Sequence, residues 1–295
     1  MSGKNEADAD ICCCANCGVA EVDDIKLDTC CDGCDLVKYC RDKCMEEHRE
    51  QHDEDCKKRK VELHDKKLFR QPSGTYLGEC PICFLPMPID PQKSTFKSCC
   101  SKHICDGCEY ADIKSNGGNR CPFCREPTAA DDEENKKRTM ERIKANDPAA
   151  MCNMGTERYH EGDHDGAIEY WTKAAELGDV VAHNQLGYMY GEGKGVEKDA
   201  EKAVYHLEKA AIGGHTTARY NLGEYEEENG NMERAVKHFI IAANIGDDDS
   251  MKELWGYYKN GYITKEDLEA TLRTHKAAID EMKSPEREAA EKALS

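Results

Sequence analysis

The chain has 295 residues, 34% charged and only 7% aromatic, which is too few large apolar side chains for one continuous core and fits two or three domains. A formal net charge of −18 repels phosphate backbones and anionic lipid, which counts against nucleic acid and membrane surfaces as partners without excluding nucleic acid. No apolar run reaches the roughly 18 residues that cross a bilayer.

The start, Met1-Ser-Gly-Lys-Asn-Glu-Ala-Asp-Ala-Asp10, is polar and acidic, not a secretory leader, and residues 1–11 read as disordered. A cytoplasmic or nuclear location is therefore expected, and there 19 cysteines are better explained by metal than by disulfides.

Residues 12–56 hold a first ligand series. Its pairs are Cys14-Ala-Asn-Cys17, Cys31-Asp-Gly-Cys34, Cys40-Arg-Asp-Lys-Cys44 and His52-Asp-Glu-Asp-Cys56. The last two pairs are spaced i to i+4, which on a helix puts both side chains on one face within reach of one ion. Residues 41–60 lack Gly and Pro and fit such a helix. Cys12, Cys13 and Cys30 are left over as register-slip substitutes, and His48 competes with His52 but would strand Cys56.

The series, with the element Cys34-Asp-Leu-Val-Lys-Tyr-Cys40, resembles the MYND zinc finger. That resemblance implies one zinc on Cys14, Cys17, Cys40 and Cys44, and another on Cys31, Cys34, His52 and Cys56. Arg49 and Met45 replace the family's usual Trp and Gln, near the groove that takes proline-rich peptides. Residues 57–77 read as a charged helical linker, and its basic run Lys57-Lys-Arg-Lys60 as a solvated face.

The second series is the stronger one. Cys80-Pro-Ile-Cys83, Cys99-Cys100, Cys105-Asp-Gly-Cys108 and Cys121-Pro-Phe-Cys124 supply eight thiols, enough for two tetrahedral ions. Residues 78–127 resemble a RING finger, a cross-brace with little regular structure. The resemblance implies Cys80, Cys83, Cys105 and Cys108 at the first zinc. Cys121 and Cys124 join the second, with Cys99 and Cys100 favoured over a pair that includes His103. Together the two modules imply about four Zn2+ per chain and a loaded net charge of roughly −25. RING fingers act as ubiquitin ligases by orienting a conjugating enzyme, with no covalent step of their own. The contact residues so implied are Ile82, Pro122 and the cation Arg125. The aromatic often found before the seventh ligand is missing, with Ile113 in its place.

Residues 128–146 form a second charged helical linker, and Asp147-Pro148 is a helix start. Residues 147–283 then repeat. Met154-Gly155, Leu186-Gly187 and Leu222-Gly223 align, as do Tyr170-Trp-Thr-Lys-Ala-Ala175, His206-Leu-Glu-Lys-Ala-Ala211 and His238-Phe-Ile-Ile-Ala-Ala243. Leu254 marks a fourth, degenerate unit, and residues 250–283 read as capping helices. Each unit reads as two helices whose apolar face is covered only by stacking. With Gly191-Glu-Gly-Lys-Gly-Val196 in the second unit, the array resembles Sel-1-like repeats, relatives of tetratricopeptide repeats. Such arrays bind a protein segment. Residues 284–295 read as a flexible tail.

The expected fold is multidomain, two zinc-stabilised modules followed by an all-α Sel-1-like, TPR-like solenoid. The expected function is a RING-type ubiquitin ligase that recruits substrate through its repeats and MYND finger. The alternative is a non-enzymatic scaffold using the same surfaces. No phosphate loop, zinc-protease motif or nucleophile elbow competes.

Overall fold

The computed structural model describes residues 29–30, 38–39 and 42–294, with side chains from Asp53 onward. The chain divides into two compact units, 1–70 and 71–295.

In the first unit, β1 (Thr29–Cys30) pairs antiparallel with β2 (Lys38–Tyr39), and α1 runs Asp42–Leu68. The helix is charged all round and carries local ion pairs, Lys57 with Asp53 and Arg59 with Glu62. It continues well into the expected linker.

The second unit is built mostly of helical hairpins. They are α4 (Pro148–His160) with α5 (His164–Glu176), α6 (Val180–Glu192) with α7 (Ala200–Ile212), and α8 (Thr216–Glu228) with α9 (Met232–Ala243). After them come α10 (Asp248–Lys259) and α11 (Lys265–Glu281). The N-caps show why the array is regular. Asp147, Asp163 and Asp179 stand sixteen residues apart and accept from amides of the first helical turn. Asp199, His215, Asn231 and Asp247 resume the same interval after the longer loop 193–199. Between helices the chain turns through left-handed glycines such as Gly178, whose φ of 87° excludes most side chains.

Small residues set the depth of each hairpin. A Cβ on Gly155 would lie 2.6 Å from Trp171, one on Gly187 2.8 Å from Leu207, and one on Gly223 2.7 Å from Phe239. The first core accordingly gathers Met151, Trp171, Ala174, Leu186 and Met189, and the last gathers Phe239, Met251, Leu254 and Tyr257. In the fourth unit Trp255 stands where the others have glycine, and it is 45% exposed. The glycine that admits a facing side chain in the earlier hairpins is therefore missing from this unit.

The cysteine-rich module packs on this array. It contains a two-stranded sheet, β3 (Ser94–Lys97) antiparallel to β4 (Lys102–Cys105), and α2 (Asp106–Asn116). Helix α3 (Asp132–Lys144) joins module and array, with Arg142 bonding both Ser101 (3.2 Å) and Asp147 (2.9 Å). Residues 71–76 lie along the array too: Gln71 reaches Ile241 and Asn244, and Tyr76 stacks on His215 at 4.5 Å.

One expectation is corrected. Within the expected flexible tail 284–295, the residues described are ordered: α12 (Pro285–Leu294) packs on α2, with Ala290 only 1% exposed. Its stability comes from tertiary contact, which short helices need. Among the described residues no helix is long and apolar enough to cross a membrane.

Candidate metal centre

Two tight turns of the same design open the module's two halves. In the first, Phe84 N donates to Cys80 O and Cys80 N to Leu85 O, both at 2.9 Å. In the second, Arg125 N donates to Cys121 O (2.9 Å) and Cys121 N to Glu126 O (2.7 Å). Both turns place the residue after the second cysteine in the left-handed region, Phe84 at φ 57° and Arg125 at 67°. The intervening Pro and a further residue complete each loop, so both thiols of a pair face one point.

The partners come from elsewhere in the module. Cys105 caps the N-terminus of α2 and Cys108 stands in its first turn. Cys99 and Cys100 occupy the β3–β4 turn, where Ser101 N bonds Lys97 O at 2.7 Å. The result is two groups of four, Cys80, Cys83, Cys105 and Cys108, and Cys99, Cys100, Cys121 and Cys124. Within each group all sulfurs lie within 4.8 Å of one another, and none of the eight is in a disulfide.

Geometry tests whether these groups fit a metal. A tetrahedral thiolate site with metal–sulfur bonds of about 2.3 Å has sulfurs about 3.8 Å apart. In the first group, Cys80 to Cys108 and Cys83 to Cys105 are both 3.8 Å. In the second, Cys100 to Cys121 is 3.9 Å and Cys99 to Cys124 is 3.4 Å. The dimensions fit.

Electrostatics agrees. A hydrogen bond from Cys105 pulls Cys80 down to about 4, while the same contact drives the Cys105 thiol up. Burial pushes Cys108 up to about 12, Cys100 up to about 11, and Cys99 up as well. Burial also acts on Cys121, but backbone donors from Cys124 and Phe123 outweigh it and its pKa falls. Thiols this crowded do not ionise together on their own. A soft or borderline divalent cation permits it and releases the protons.

The grouping brings together the residues expected from the sequence for each site, and it separates His103 from both. His103 is held opposite Phe96 in the β3–β4 ladder, with ring centroids 5.4 Å apart, and burial lowers its pKa. A ladder position fixes it away from the turn that carries Cys99 and Cys100. The ligands expected at Cys14, Cys17, Cys31, Cys34, Cys40, Cys44 and His52 lie outside the described side chains; Cys56 is buried on α1.

A groove beside the first cluster, about 270 Å³ in volume, is lined by Ile82, Pro122 and Arg125 together with Ala111, Asp112 and Ser115 of α2. Ser284, Glu286 and Arg287 form its opposite edge. That edge has no local signal in the sequence, because it depends on a contact across about 200 residues. Phe84, at the tip of the first turn, is 71% exposed and was equally silent, since only the turn's geometry points it outward.

The Sel1 repeat family matches residues 148–179, 180–215 and 216–247. A protein of Acanthamoeba polyphaga mimivirus, sel1-like repeat-containing protein L21, is 37% identical over 68 residues, which cover 23% of this chain and 13% of that protein. DAP3-binding cell death enhancer 1 of Mus musculus is 25% identical over 175 residues, 46% of this chain and 34% of that protein. Chitin synthase regulatory factor 4 of Schizosaccharomyces pombe is 27% identical over 89 residues, 30% and 14% of the two chains. The chain thus spans at most 34% of the length of these relatives. Among solved structures, a Sel1 repeat protein from Oxalobacter formigenes is 25% identical, with a TM-score of 0.45, covering 58% of this chain and 71% of that one.

Proposed function

Residues 148–247 are three Sel1 repeats, elements that mediate protein–protein interaction, and from this premise we propose that the chain is a zinc-dependent adaptor of the RING type. Its repeats hold a protein segment and its eight-cysteine module docks a ubiquitin-conjugating enzyme. The two four-cysteine groups each take one Zn2+, whose part is to fix the turns. The MYND-like ligand set in residues 12–56 takes two more.

The observation that carries the reading is the single groove formed by Ile82, Pro122 and Arg125 against α2. Ile82 offers an apolar contact from the first turn and Pro122 stiffens the second. Arg125, held exposed by its left-handed backbone, presents a planar fork of donors to a carbonyl-rich partner. Catalysis by such a surface is orientation of a bound thioester, with no residue of this chain forming a bond.

A second reading has its own support. Ser284 and Glu286 line the same groove, so part of the surface is already covered by this chain, which suits a scaffold with no ligase activity. An autoubiquitination assay with a panel of conjugating enzymes separates the two. The ligase reading expects chains from the wild type and at least about a tenfold loss in Ile82→Ala and Arg125→Ala, equivalent to about 1.4 kcal/mol. Absence of chains with every conjugating enzyme leaves the scaffold.

A further inference from the structure

Helix α12 crosses the module at the first cysteine turn. Arg287 donates from Nη1 to Pro86 O at 2.7 Å and to Met282 O at 2.6 Å. From Nη2 it reaches the Cys83 sulfur at 3.6 Å and Leu85 O at 3.5 Å. One guanidinium therefore ties a sulfur and two carbonyls of the turn to the end of α11. The crossing is built for close approach: a Cβ on Gly107, in the first turn of α2, would lie 2.8 Å from Arg287. Lys93 pairs with Glu291 at 2.8 Å one helical turn further on.

We propose that Arg287 is a positioning residue for the first four-cysteine metal site, and that docking of α12 and metal binding there stabilise each other. The inference rests on the reading of Cys80, Cys83, Cys105 and Cys108 as metal ligands. Four thiolates around a divalent cation carry two negative charges, and Arg287 sets a positive charge against one of the sulfurs. Its fork also holds Leu85 and Pro86 carbonyls, so the loop between Cys80 and Pro86 keeps its shape. The second cluster has a different support, Arg142, which meets the Cys100 carbonyl at 3.5 Å from α3. The two clusters are thus separable, and the second serves as an internal control. Coupling of this kind is reciprocal: whatever α12 contributes to metal affinity, the metal contributes to α12 docking.

The test uses the zinc-loaded full chain and a competing chelator, with native mass spectrometry for ion count and maleimide mapping for the cysteines exposed. Outer-shell partners of metal ligands are worth about 10–100-fold in affinity. Arg287→Ala is expected to release one ion that much more readily, with Cys80, Cys83, Cys105 and Cys108 modified while Cys99, Cys100, Cys121 and Cys124 stay protected. Arg287→Lys, which keeps the charge and loses the fork, is expected to fall between. In the wild type, emptying the first site is expected to speed hydrogen exchange at the amides of residues 286–294. Equal ion retention in wild type and Arg287→Ala, or α12 exchange that ignores the first site, overturns the proposal. A wild-type chain that never holds an ion on the first four cysteines overturns the metal reading itself.

Discussion

Gly155 lies where α4 and α5 come closest, and replacing it by alanine is a direct trial of the packing. The new Cβ would sit 2.6 Å from Cδ1 and 2.7 Å from Nε1 of Trp171. The indole has nowhere to retreat. It is 1% exposed, its Nε1 donates to Cys152 O at 3.2 Å, and Tyr159 leans on it at 5.7 Å between centroids. Overpacking of this kind costs about 1–3 kcal/mol. Disrupting the indole hydrogen bond adds about 1 kcal/mol. Alanine's better helix propensity returns about 1 kcal/mol. Gly155→Ala should therefore destabilise by about 1–3 kcal/mol, lowering the melting temperature of the array by roughly 4–12 °C at about 4 °C per kcal/mol. Gly256→Ala is the matched control. A Cβ there, at an exposed position of α10, meets nothing within 4 Å. It should gain about 0.5–1 kcal/mol, or roughly 2–4 °C. Thermal unfolding followed by circular dichroism at fixed zinc reads both. Equal melting of Gly155→Ala and wild type, or a loss in Gly256→Ala, would refute the packing argument.

Gly214 combines a φ of 91° with a close approach: a Cβ would stand 2.9 Å from Gly74 O. Gly214→Ala should cost about 1–2 kcal/mol from backbone strain alone and lift residues 74–76 off the array, seen as faster exchange of the Tyr76 amide that bonds Gly214 O. His206 is held at about 4 by burial, helped by neighbouring His183 and Lys202. Its folded value lies below the unfolded value of about 6.5, so its neutral form stabilises the fold above that pH. That contribution is lost as pH falls toward 4. His206→Gln should flatten the fall in melting temperature of the array across that window, and an unchanged slope would contradict the assignment.

How much of this was legible in the chain depended on whether the cause was local. The hairpins were, because Leu-Gly in one helix and Ala-Ala in the next recur at spacings that only stacked units produce. The Asp caps that set the interval are equally local. The fourth unit was half legible: Leu254 kept its place in the last core, but Trp255 stands where the earlier units have the glycine that closes the hairpin. The cysteine groups could be sorted because pairs two residues apart belong to turns. The choice of Cys99 and Cys100 over His103 needed the strand ladder. Helix α12 was misread because Ser284-Pro285 looks like an ending. What orders it, Arg287 on Leu85 and Pro86 and the bare backbone of Gly107, lies far away in sequence.

The measurement closest to the centre of the account is the zinc content of the intact native chain by mass spectrometry. Wild type should be compared with Cys105→Ser, Cys121→Ser and the double variant. The account predicts four ions in the wild type, one fewer in each single variant and two fewer in the double. A wild type without zinc, or variants that keep the full number, would contradict it.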